Sequence, residues 1–123
     1  MNNKIGIGVI GGGGISAEGH ICGYQADPRC EVVALFDADE AKMSEQAQRL
    51  GVAHTYTDLA AFLAHPNLQA VSVCSPDHLH GAHCLAALEA GKHILCEKPM
   101  TTNREEAAQL VTMVRQQGLI FLG

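Results

Sequence analysis

A run of four glycines, Gly11 to Gly14, stands between an apolar stretch of strand length, Ile5 to Ile10, and a segment of helical period from about Ser16 to Ala26. Such a turn hands a strand directly to a helix, which is how a βα unit opens. The rest of the chain repeats that alternation. Glu31 to Phe36 reads as a second strand. Asp39 is placed to cap a helix through Leu50, with Gly51 as its stop. Ala53 to Tyr56 is a short third strand, and Thr57 or Asp58 caps a short helix, Leu59 to Ala64. After the turn His65-Pro66-Asn67 come a fourth strand, Ala70 to Cys74, and a helix, Leu79 to Ala90, ended by Gly91. His93 to Cys96 is the fifth strand. Thr102 with Glu105 makes a T-x-x-E capping box for a helix to about Gln117, which Gly118 stops, and Leu119 to Leu122 is a sixth strand.

Strands alternating with helices predict an α/β fold, a doubly wound parallel six-stranded sheet of order 3-2-1-4-5-6. The 123 residues are one domain's worth, and 47% apolar against 17% charged residues is a globular balance. A chain of this length buries a core without staples, so disulfides are not required. The sixth strand is apolar, would form the sheet's edge, and has nothing after it to cover it. A protein usually blunts or covers such an edge, so the expectation is a chain cut from a longer protein, with self-association through that strand as a further possibility.

The glycine run also carries chemistry. A dinucleotide's pyrophosphate is bound by backbone N–H groups at a helix N-terminus, and glycine lets the backbone approach it. In a G-x-G-x-x-G reading, Gly11 makes the tight turn, Gly13 admits the pyrophosphate and Ser16 takes the third place. Gly14 and Ile15 lead into the helix. A register one residue later, Gly12, Gly14 and Ala17, fits the same run. Asp37, about 20 residues on at the end of the second strand, stands where a carboxylate accepts hydrogen bonds from the adenosine ribose. No Arg or Lys adjoins it, and Asp39 adds negative charge, so NAD is expected over NADP.

Cys74-Ser75-Pro76-Asp77-His78-Leu79-His80 follows the fourth strand and should line the cleft near the switch point between strands one and four. His80, His83 and Cys84 at helical spacing raise a metal alternative, but no compact ligand motif accompanies them, and no metal is expected. Glu97-Lys98-Pro99 follows the fifth strand at the same edge. A lysine there could hydrogen-bond a substrate hydroxyl as hydride leaves carbon, or only form a surface ion pair before a turn; spacing leaves both open.

A net charge of −5 argues against nucleic acid or an anionic membrane as partner. No apolar run reaches the ~20 residues of a bilayer span. Five cysteines, an odd number, suit a reducing, cytoplasmic setting.

Together these three motifs resemble the amino-terminal domain of the Gfo/Idh/MocA oxidoreductases, the family of glucose-fructose oxidoreductase and inositol 2-dehydrogenase. The resemblance runs from Ile5 to Gly123 and is most specific from Cys74 to Pro99, including Leu85-Ala86-Ala87-Leu88-Glu89-Ala90-Gly91-Lys92-His93-Ile94-Leu95-Cys96-Glu97-Lys98-Pro99. It implies a Rossmann fold that binds NAD(P) through Gly11, Gly13, Gly14, Ile15, Asp37, Ser75, Pro76, His80, Glu97 and Lys98. Lys98 is also the implied catalytic residue. Asp77 stands where the family commonly has Asn, whereas His80 matches its usual histidine. The resemblance further implies a second domain, missing from this chain, that binds a sugar, polyol or related CH–OH substrate. Full catalysis is then expected only of the longer protein. A module that binds NAD and performs no chemistry, as in redox sensing, is the alternative.

Overall fold

The computed structural model describes residues 4–98, 101 and 103–123. Six strands, β1 (Ile5–Ile10), β2 (Cys30–Phe36), β3 (Thr55–Tyr56), β4 (Ala70–Val73), β5 (His93–Cys96) and β6 (Phe121–Leu122), form one sheet of order β3-β2-β1-β4-β5-β6. Every pairing is parallel, as expected of strands joined by helical crossovers. The helices are α1 (Ile15–Gln25), α2 (Glu40–Leu50), α3 (Leu59–Leu63), α4 (His80–Glu89) and α5 (Arg104–Gln117).

The chain starts in the middle of the sheet, runs outward through β2 and β3, then returns to build β4, β5 and β6 on the other side. Right-handed crossovers in opposite directions put the helices on opposite faces. Ala17 and Ile21 of α1 and Met43 and Ala47 of α2 pack with Val9, Val32 and Leu35 on one face. Phe62 of α3, Cys84, Ala87 and Leu88 of α4 and Leu110 of α5 pack with Ile10, Val71, Val73 and Ile94 on the other. Both sheet faces are thus dry, which explains why the central strands read as unbroken apolar runs.

The helix stops follow from glycine. Gly51 and Gly118 close α2 and α5 in the left-handed conformation, at φ 74° and 64°. Three local expectations are corrected. The cap of α5 is Asn103, whose side chain accepts from the Glu105 and Glu106 N–H groups. Thr102 of the expected capping box and Pro99 of the E-K-P motif lie outside the described residues. The helix expected from Leu79 begins at His80, after a 3-10 turn over Asp77–Leu79 that follows Pro76. Finally, β3 and β6 are two residues each, because sheet-edge strands pair on one side only and shorten where that pairing stops.

Candidate functional site

The glycine turn, the end of β2 and the β4–α4 connection meet at the carboxyl edge of the sheet. They enclose an open cleft of about 640 Å³, lined by Gly11, Gly13, Gly14, Ile15, Ser16, Asp37, Asp39, Lys42, Cys74, Ser75 and Pro76. Of the residues singled out from sequence, the structure brings Gly11, Gly13, Gly14, Ile15, Asp37, Ser75 and Pro76 together on its walls.

Gly11 makes the turn at φ 79°, where a Cβ would sit 2.6 Å from the Ser75 nitrogen. Only glycine combines that conformation with so close an approach to β4. Gly11 and Gly12 both donate their N–H to the Phe36 carbonyl, which ties the turn to the end of β2. Gly13 donates its N–H to Asp37 Oδ2 at 2.8 Å, and a Cβ on Gly13 would come within 2.9 Å of that oxygen. The other carboxylate oxygen, Oδ1, accepts from the Asp39 N–H at 2.9 Å. Asp37 is therefore aimed by two backbone donors and keeps acceptor capacity toward the cleft.

The two glycine registers divide between two tasks. Gly11 takes the tight turn, while the small residue buried against the sheet is Ala17, fully enclosed; Ser16 is exposed on the cleft. Helix α1 starts after Gly14 with no side chain capping it, and Ile15 is 96% exposed. Its first-turn N–H groups and positive dipole end thus open on the cleft.

The remaining candidates lie behind or beside these walls. His80 is buried, and its Nε2–H donates to the Ser75 carbonyl at 2.6 Å. Ser75 Oγ is hydrogen-bonded to His83 Nδ1 at 2.7 Å, so both histidines brace the loop that carries Ser75. Burial, and then the charge His80 would carry, push the His83 pKa down. Cys84 turns into the core beside Cys96. Among the described residues, no group of three His, Cys, Asp or Glu side chains is placed to hold a metal ion.

Lys98 is exposed just past β5. Glu97 accepts from His20 Nε2 at 2.6 Å and from the Lys98 backbone N–H, and this holds its carboxyl below its ordinary range. Neither Glu97 nor Lys98 is among the residues lining the cleft.

Three residues of the site were not singled out from sequence. Gln46, buried on the packed face of α2, donates from Nε2 to the Gly12 and Gly14 carbonyls at 2.5 and 3.1 Å and clamps the glycine turn. Its signal was a polar residue on the apolar stripe that Met43, Ala47 and Leu50 make at helical spacing. Lys42, exposed in the first turn of α2, reaches the Asp37 wall by helix geometry rather than by adjacency in sequence. His20 meets Glu97 across 77 residues of chain.

Residues 5–122 match the model of the Gfo/Idh/MocA group, described as the oxidoreductase family, NAD-binding Rossmann fold. The chain belongs to this family. Its Gfo/Idh/MocA relatives include the D-glucoside 3-dehydrogenase of Escherichia coli K12, 33% identical over 115 residues, 94% of this chain and 33% of that protein. Among solved structures, GenD2 from gentamicin A biosynthesis in complex with NAD superposes with a TM-score of 0.91 at 28% identity. That match covers 98% of this chain and 34% of that one. A variant of the 3-ketoreductase KijD10 from Actinomadura kijaniata, in complex with TDP-benzene and NADP, gives a TM-score of 0.87 at 33% identity, over 97% of this chain and 36% of that one. The chain spans about a third of the length of the curated relatives it matches. Among the described residues, no helix is long and apolar enough to cross a membrane.

Proposed function

We propose that this chain is the dinucleotide-binding part of an oxidoreductase and that it takes NAD(H) in the cleft at the sheet's carboxyl edge. The observation that carries this reading is the Asp37 carboxylate, aimed by the Gly13 and Asp39 N–H groups across from the uncapped start of α1. The first turn of α1, beginning at Ile15, offers N–H groups to the pyrophosphate, while the Gly14 N–H closes the turn on the Gly11 carbonyl. Asp37 accepts from the adenosine ribose hydroxyls. Ser75 and Pro76 form the opposite wall, with His80 supporting Ser75 from behind.

When bound, the nicotinamide supplies the hydride acceptor or donor. Lys98, held beside Glu97, polarises the substrate oxygen and handles its proton as hydride moves. The relatives' names, a glucoside dehydrogenase and a 3-ketoreductase, support a sugar, polyol or similar CH–OH substrate. Because the relatives are about three times longer, that turnover is assigned to a longer protein with a second, substrate-binding domain.

Between the two dinucleotides, Asp37 and Asp39 disfavour a 2′-phosphate, while Lys42 on the same wall offers it a cation. NAD is the preferred ligand and NADP a weaker one. Free cysteines, three of them buried, suit a reducing cytoplasm. The exposed Ile120 and Leu122 beside the β6 edge support self-association there.

Calorimetric titration with NAD⁺, NADH and NADP⁺ tests the reading. Saturable binding of NAD(H), tighter than of NADP⁺ and weakened by Asp37→Ala, is expected. No binding of either dinucleotide by the folded chain overturns it.

A further inference from the structure

The E-K-P lysine is exposed, and the residue before it is tied to a helix far away in sequence. Glu97 is the link. Its carboxylate accepts from the Lys98 backbone N–H and, at 2.6 Å, from His20 Nε2 in the second turn of α1. The Glu97 N–H donates to the Val73 carbonyl, so the residue is held from both its main chain and its side chain.

The tether continues inward. His20 Nδ1 lies 3.2 Å from Ser72 Oγ, and Ser72 Oγ lies 2.5 Å from the Tyr24 hydroxyl. With the imidazole neutral, donors and acceptors align in one direction: Tyr24 O–H to Ser72, Ser72 O–H to His20 Nδ1, and His20 Nε2–H to Glu97. Ser72 is fully buried in β4 between Val71 and Val73, at a position where an apolar residue would fill the space without needing partners. A satisfied polar chain there specifies one geometry, which apolar packing does less sharply.

From this chain of contacts we infer that His20 is a positioning residue for Lys98. Through Glu97 it couples the segment after β5 to helix α1, whose first turn borders the cleft. This inference rests on the proposed role of Lys98 toward the substrate oxygen and the nicotinamide. Because α1 carries both the pyrophosphate-facing first turn and His20 one turn later, seating a dinucleotide on α1 is transmitted to the Lys98 backbone. His20 touches neither cofactor nor substrate in this arrangement.

The test uses the 123-residue chain with its lysines reductively ¹³C-methylated and the Lys98 resonance assigned by Lys98→Arg. NAD⁺ is titrated into wild type, His20→Phe and His20→Gln. Glutamine can replace Nε2 as donor to Glu97, whereas phenylalanine keeps the bulk without the donor. The expected result is a Lys98 shift on saturation in wild type, loss of most of it in His20→Phe, and its return in His20→Gln. A wild-type response in His20→Phe overturns the inference and leaves the role of Lys98 standing. Equal loss in His20→Phe and His20→Gln also overturns it, since packing alone then accounts for the effect. Binding of NAD⁺, followed at other resonances, with no Lys98 shift in wild type overturns the role of Lys98 and the inference together. Should His20→Phe fail to fold, Glu97→Ala replaces it, with the same loss expected and an unchanged Lys98 response counting against the inference.

Discussion

Asp37 is the residue on which cofactor binding is expected to turn in the proposed site, because its two oxygens are oriented by main-chain donors. A hydrogen bond to a charged acceptor contributes about 1.5–3 kcal/mol, so Asp37→Ala is expected to weaken NAD⁺ binding by about tenfold or more. Calorimetry on the two proteins measures it. Lys42 makes a separate prediction. Lys42→Ala removes the cation that lines the cleft with Asp37, so NADP⁺ affinity should fall several-fold while NAD⁺ affinity holds or rises slightly. The ratio of the two dissociation constants, measured at one ionic strength, checks this; an unchanged ratio counts against Lys42 reaching the 2′-position. The turn at Gly11 and the place of Asp37 at the end of β2 could be read from sequence because a glycine turn and an acid at a strand end are local patterns. Lys42, Gln46 and His20 could not be assigned this way. Each reaches the site through the packing of one element on another, and sequence spacing holds no record of that.

At the scale of elements, α5 gives a measurable cap. Asn103 satisfies two first-turn N–H groups, those of Glu105 and Glu106. Asn103→Ala should cost about 1 kcal/mol. In a domain of this size that lowers the melting temperature by about 3–5 °C, readable by circular dichroism. The strand and helix pattern was legible nearly throughout, since apolar runs mark the central strands and Gly51 and Gly118 mark helix stops. Element ends were less so. The change from Leu79 to His80 as the start of α4 reflects the 3-10 turn after Pro76, and the shortness of β3 reflects where pairing with β2 ends. The second depends on what the neighbouring strand allows rather than on the segment's own residues.

Across the whole molecule, two histidines tie stability to pH. Burial, followed by the neighbouring His80 and His54 respectively, lowers the pKa of His83 and His65. The fold therefore favours their neutral forms, and the unfolded chain binds more protons below about pH 6.5. Their contribution is complete above that pH and is lost as pH falls through the lowered folded values. The melting temperature should be level between about pH 7 and 8 and decline below about 6.5, less steeply in His83→Gln than in wild type. At more acid pH the same sign applies to Glu97, whose pKa is lowered by its bond from His20, so the decline continues as Glu97 is protonated.

What this sequence determined by itself is the class of fold and the kind of ligand. The periods of its apolar residues dictate strands and helices in alternation. The glycine turn, followed by an acid one βα unit later, specifies a backbone shape suited to a pyrophosphate and a ribose. Tertiary structure alone decided which atoms face the cleft. It set Gly13 to aim Asp37, brought Lys42 to the same wall, turned His80 inward beneath Ser75, and joined His20 to Glu97. The physical reason is that local preference acts over a few residues. The direction in which a side chain points across a sheet edge is set instead by the packing of α1, α2 and α4 against strands that meet them only once the chain has closed.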